Sequence, residues 1–314
     1  MITRKGLPGG QYKPLADEDI IKIHETSLRI FSEVGIQVNF PEALELFKQA
    51  GANVDDATKV AKFDPDLVTK LIESAPSVVR LYGRADNGEL DCEIGGSNVY
   101  MGTGGTALNV QDPGSTDARR SKLEDIVNMA RLVDALDNIH FYMLNVFPNE
   151  LPIENVDVNR FGAALNNTRK HIMGGVYTME GVRNVIRMAE VIAGSSEKLR
   201  QRPFISMVAC NISPFKLDQS YGQLAMEVAK HGIPVVVPVE PLCGATAPIT
   251  LAGNLPCILQ APMSRAVSVV PNRFRIHFRG AYNSNVVNVS ALILVNIVRI
   301  VSEIKVSIGD SVVR

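Results

Sequence analysis

The residues of this chain best placed to meet a small ligand are Asn145, Phe147, Tyr177, Asn211, Glu240, Gly104 and Thr246. The first five stand at the far ends of short apolar runs at 140–147, 172–177, 203–212 and 235–239. Apolar runs of this length, bounded by turn residues, read as buried strands. In a barrel of parallel strands, chemistry gathers where the strands end and the following loops converge. The groups on offer there are two aromatic faces, two carboxamides and one carboxylate, which bind, orient and balance charge. Thr178 reads as a helix cap, and Asn211 before Ser213 and Pro214 also suits turn chemistry.

Two glycine-rich loops complete the candidate set. Gly102, Gly104 and Gly105 with Thr103 and Thr106 read as a tight β-turn at the lip of a pocket, since the Lys-Ser/Thr end of a phosphate-binding loop is absent. Gly244, Ala245, Thr246, Ala247 and Pro248 precede a helix expected to start near Ile249. Amides there can hold an anion at the helix N-terminus, or simply close a compact loop.

Other chemistries find little support. His140 and His171 fall at strand starts, the stability face of a barrel, and His24 lies on an amphipathic helix. Cys92, Cys210, Cys243 and Cys257 are scattered, without metal-ligand or disulfide-framework spacing. They read as buried or free thiols of a reducing compartment, and no metal is expected. A lyase or aldolase would call for a lysine or a carboxylate cluster at a strand end, and no strand end carries a lysine.

The elements that must position these residues show a regular beat. From about residue 115 to 254, apolar runs start roughly every 32 residues and alternate with amphipathic helices expected at 123–136, 156–168, 178–193 and 218–230. Ser121 and Glu124 read as a capping box opening the first. Gly194 and Gly232 read as helix ends. Such βα units predict an α/β fold with a parallel sheet buried on both faces. A (β/α)8 TIM-type barrel and a doubly wound sheet both fit, although no dinucleotide fingerprint follows an early strand. Residues 1–114 read as a helical and β-rich N-terminal cap, with helices near 20–34, 41–50 and 65–74 and strands at 78–83 and 99–101.

Composition sets the bounds. The 314 residues are 46% hydrophobic with a formal net charge of −1, which disfavours nucleic acid or an anionic membrane as partner. No apolar run reaches the length of a membrane span, and no signal-like stretch follows Met1, so a cytoplasmic enzyme is expected. Residues 255–314 break the pattern. They hold Arg273, Arg275 and Arg279 but only Glu303 and Asp310 as acids, and the strand–helix beat stops. This segment reads as a divergent, truncated or altered end rather than as a basic nucleic-acid strand.

Six ordered segments resemble the trimethylamine:corrinoid methyltransferase family. They are residues 21–30, 101–107 (MGTGGTA), 123–139 (LEDIVNMARLVDALDNI), 174–178 with 180–183, 202–206 with 211–214, and 232–255 (GIPVVVPVEPLCGATAPITLAGNL). The resemblance implies a barrel, here incomplete, that moves a methyl group from trimethylamine or a quaternary amine such as glycine betaine to a separate corrinoid protein. No cofactor is then held tightly, because the cobalamin arrives on the partner. It also implies roles. Tyr177 and Phe147 offer the aromatic face, Glu240 the counter-charge, and Asn145 and Asn211 a grip on a betaine carboxylate. Glu240 and Tyr177 are the expected catalytic pair. The family's pyrrolysine does not occur here, and its place falls within 255–314. The alternative is a non-catalytic barrel fragment whose two open sheet edges pair in a homo-oligomer.

Overall fold

The computed structural model of the chain describes residues 6–9, 15–73, 78–210 and 212–258. The N-terminal part runs β1 (Leu7–Pro8), α1 (Asp17–Arg29), β2 (Ile36–Val38), α2 (Pro41–Gln49), β3 (Asn53–Asp55), β4 (Val60–Lys62), α3 (Pro65–Glu73), β5 (Val79–Leu81), β6 (Cys92–Ile94), β7 (Asn98–Val99), β8 (Asn109–Gln111) and β9 (Ala118–Arg120). There follow α4 (Leu123–Ala135), β10 (Phe141–Met143), α5 (Ile153–Leu165), β11 (His171–Gly175), α6 (Met179–Ala193), α7 (Ser196–Gln201), β12 (Ile205–Val208), β13 (Lys216–Leu217), α8 (Gln219–Lys230), β14 (Val235–Val236) and α9 (Leu251–Ile258). The βα rhythm is therefore present as expected.

The central element is a four-stranded parallel sheet in the order β10-β11-β12-β14. Successive strands are neighbours, so each right-handed crossover steps the same way and lays its helix on the same face. On that face Tyr142, Leu144, Ile172, Ile205, Met207 and Val235 pack under Ile126, Phe161, Val185 and Val228 of the helices. A doubly wound sheet would carry helices on both faces. Here the second face is covered differently. Phe141, Met173 and Val208 meet Leu81 and Cys92 of the β5–β6 hairpin, which closes the N-terminal ends of the strands. Towards the C-terminal ends the residues of that parity, Met143, Asn145, Phe147, Gly175, Tyr177, Cys210 and Val236, remain half-buried.

Local chemistry explains the helix ends. Thr178 accepts from the Gly181 amide and caps α6, and Gly194 ends it in the left-handed conformation at φ 86°. Asp218 caps α8 by accepting from Ser220. The cap of α4 differs from expectation. Lys122 is the capping position, and its amide donates to Asp125 at 2.7 Å. Ser121 is buried and spends its hydroxyl on the carbonyls of Phe147 and Ala107. A residue needed to hold two loops together cannot also cap the helix.

Residues 101–107 form no tight turn. They run extended along β10, with parallel bridges from Gly102 to Phe141 and from Ala107 to Val146. The Thr103 hydroxyl both accepts from the Met143 amide and donates to the Met143 carbonyl, standing in for a backbone pair. Gly102 is required for closeness: a Cβ there would lie 2.3 Å from the Phe141 ring. The β10 edge is thus covered, which corrects the expectation of two open edges.

The N-terminal part is tied to the sheet region by strand pairing. β13, between β12 and α8, pairs with β2 and completes a sheet of order β13-β2-β4-β3. The β8–β9 hairpin spans the expected boundary at 114/115, and α9 runs through the one at 254/255. Residues 259–314, with most of the divergent segment, lie outside the described residues.

Candidate functional site

At the C-terminal ends of the parallel strands, Phe147 and Tyr177 meet edge to face, ring centroids 5.5 Å apart. One follows β10 and the other β11, so strand pairing brings together two residues thirty positions apart. Asn145 accepts from the Tyr142 phenol at 2.8 Å through its side-chain oxygen and keeps its amide nitrogen as a donor.

Beneath the aromatic pair lies an arrangement built from a helix and not from a strand end. Arg160 of α5 is fully buried. Its guanidinium carbon lies 5.4 Å from the Tyr177 ring centre, and Nη1 donates to the Tyr177 hydroxyl at 3.2 Å and to the Gly175 carbonyl at 3.3 Å. Nη2 donates to Thr106 Oγ1 at 3.0 Å and to the Leu144 carbonyl at 3.2 Å. One turn earlier, the buried Asp157 carboxylate accepts from the amides of Tyr177 and Thr178 and from the Thr178 hydroxyl. Burial raises the Asp157 pKa, opposed by those amides, and burial lowers that of Arg160, opposed by Tyr177 and Asp157. The signal was present in the sequence. Asp157 and Arg160 share the helix stripe of Val156, Phe161 and Ala164, where an amphipathic pattern calls for apolar residues.

Cys210 and Glu240 follow the third and fourth strands. Burial pushes the Cys210 thiol up to about 11, with help from the Glu240 carboxylate. Burial also raises the Tyr221 phenol, and Cys210 and Tyr177 add to it. Tyr221 lies at the start of α8. Glu240 itself is exposed. Asn211 lies outside the described residues.

Gly104 and Gly105 are exposed, and a Cβ at either, or at Gly175, would meet no atom within 4 Å. The strip and the strand end therefore border open space. Thr246 is not gathered with the aromatic pair. Its hydroxyl accepts from the Leu242 amide, and the amides of Ala245, Thr246 and Ala247 all turn onto the Leu242 carbonyl. Those donors are spent within the loop, so the compact-loop reading holds and no anion cradle forms there.

A cavity of ≈ 1110 Å³ lies elsewhere, between α1 and the 245–257 region, lined mainly by apolar side chains such as Ile23, Ile30 and Leu251. It gathers no chemistry comparable to the strand ends. His140 and His171 sit at the strand starts, His140 accepting from the Met101 amide and His171 between Tyr82 and Ser206. The four cysteines are free thiols. Among the described residues no group of His, Cys, Asp and Glu could hold a metal, and no helix is long and apolar enough to cross a membrane.

Residues 4–266 match the family described as trimethylamine methyltransferase (MTTB). The chain belongs to the trimethylamine methyltransferase family. A trimethylamine methyltransferase MttB of Desulfitobacterium hafniense is 35% identical over 240 residues, 76% of this chain and 48% of that protein. A glycine betaine methyltransferase of the same species is 27% identical over 247 residues, 78% of this chain and 50% of its own. The chain thus spans about half the length of these family members. The solved monomethylamine methyltransferase of Methanosarcina barkeri aligns with a TM-score of 0.46 at 11% identity, over 79% of this chain and 55% of its own, a likeness too loose to carry an argument.

Proposed function

We propose that the chain is the half of a (β/α)8-type barrel that binds a methylated amine and presents it for methyl transfer to a corrinoid protein. The observation that carries the reading is the Phe147–Tyr177 pair, held over a buried Arg160 at the C-terminal ends of parallel strands. A tertiary or quaternary methylammonium has few or no N–H groups to offer, so recognition rests on π faces and a counter-charge. Phe147 and Tyr177 supply the faces. Glu240, at the rim, supplies the charge, and Asn145 offers a donor to a carboxylate if the amine carries one.

The corrinoid acceptor supplies the nucleophile, and the bond pair of the departing N–CH3 bond stays on nitrogen. The chain's own residues then bind and orient the donor and keep its positive charge balanced until the methyl leaves. No general base is needed for a quaternary donor, which suits a site without a histidine. The open space beside Gly104, Gly105 and Gly175 leaves an approach for a bulky acceptor. The test is product analysis. The chain, a reduced corrinoid and either trimethylamine or glycine betaine are combined, and the amine is followed by proton NMR. The reading expects one donor to appear with one methyl fewer. Unchanged donors with a folded chain would overturn it.

A further inference from the structure

Arg160 holds a position unusual for a charged side chain: wholly buried, with every hydrogen bond going to a neutral oxygen. Its acceptors come from three separate places, the 101–107 strip (Thr106), the end of β10 (Leu144) and the end of β11 (Gly175 and the Tyr177 hydroxyl). Its Nε has no acceptor. Arg160 and Asp157 share a helix, but the Asp157 carboxylate faces the Tyr177 and Thr178 amides. Thus one turn of α5 grips Tyr177 twice, the backbone through Asp157 and the ring and hydroxyl through Arg160. The planar fork of a guanidinium is what allows one group to reach all four oxygens, which an ammonium cannot do.

We infer that Arg160 is a positioning residue: it fixes the Tyr177 ring against Phe147 and ties that ring to the Thr106 strip, so that the site's walls form one preset unit. The inference rests on Tyr177 being a wall of the donor site. It assigns Arg160 no contact with the donor. Its charge, balanced in part by Asp157, is spent under the ring rather than in the pocket. Thr106 then links the glycine strip to the aromatic pair, which gives the strip a reason to lie along β10.

The experiment uses the full chain labelled with 3-fluorotyrosine, whose seven tyrosines give fluorine signals. The Tyr177 signal is the one lost in Tyr177→Phe. Arg160→Met removes fork and charge, and Arg160→Lys keeps the charge without the fork, so the second variant serves where the first does not fold. The control is Arg202→Met, which removes another stacked arginine, 4.7 Å from the Tyr82 ring centre and bound to Asp91. Tetramethylammonium is the binding probe, measured by calorimetry.

Both Arg160 variants are expected to shift the Tyr177 signal and weaken the probe at least fivefold, while Arg202→Met does neither. In the double variant with Tyr177→Phe, the Arg160 change is expected to add less than twofold. An unmoved Tyr177 signal in a folded Arg160 variant, or losses that multiply in the double variant, would overturn the positioning role. A wild-type chain that ignores tetramethylammonium would instead count against the donor reading of Tyr177, and the fluorine signal then decides the positioning by itself.

Discussion

Gly181 sits against Asp157 so closely that a Cβ built on it would stand 2.1 Å from the carboxylate oxygen Oδ2. That oxygen accepts from the Thr178 amide and hydroxyl and from the Tyr177 amide, so it cannot retreat without releasing the turn that carries Tyr177. The first turn of α6, the cap at Thr178 and the aromatic wall are therefore one packed unit.

Gly181→Ala is accordingly expected to overpack this unit and cost about 1–3 kcal/mol, visible as a Tm lowered by several degrees. The same variant should weaken donor binding, because Tyr177 moves with the turn. An unchanged Tm would show that the turn relaxes freely.

The aromatic walls make a graded prediction. Tyr177→Ala and Phe147→Ala each remove a π face, worth about 0.5–2 kcal/mol to a cation, or roughly two- to thirtyfold in affinity. Titration of tetramethylammonium into each variant checks this. Tyr177→Phe keeps the face and should lose less than Tyr177→Ala.

Glu240 is exposed, so its contribution is screened. Glu240→Gln should weaken a cationic donor by less than about 1 kcal/mol, and the difference should fade in high salt. An effect that persists at high salt would mean the carboxylate is buried once the donor is bound.

His171 predicts the pH dependence of stability. Burial depresses its pKa from 6.5 to about 4, while its ring donates to the Tyr82 carbonyl and accepts from Ser206. Between those values the unfolded chain binds the proton and the folded chain does not. Stability from this group is thus complete above 6.5 and is lost as the pH falls towards about 4, by about 3 kcal/mol at most. Urea denaturation across that range should show the decline, and His171→Gln should flatten it.

Much of this architecture was legible in the sequence because it rests on local signals. The apolar runs, the Thr178 cap and the left-handed Gly194 each carry their reason within a few residues. Phe147 and Tyr177 followed from strand ends alone, and the structure joins them. What was not legible depends on distant partners. Ser121 looked like a cap until Phe147 and Ala107 claimed its hydroxyl. Gly102 looked like a turn residue, whereas it is small because the Phe141 ring lies against it. Arg160 and Asp157 broke the apolar stripe of α5, yet only the fold shows that both serve Tyr177.

The most direct test of the account is methyl transfer itself. The purified chain is incubated with reduced cobalamin, alone and bound to a corrinoid protein, and with trimethylamine, glycine betaine or a related betaine, while the absorbance of the methylated corrinoid is followed. Formation with at least one donor is expected, with a rate lowered severalfold at subsaturating donor in Tyr177→Ala. A folded chain that methylates neither acceptor with any donor, or a Tyr177→Ala variant as active as the wild type, would contradict it.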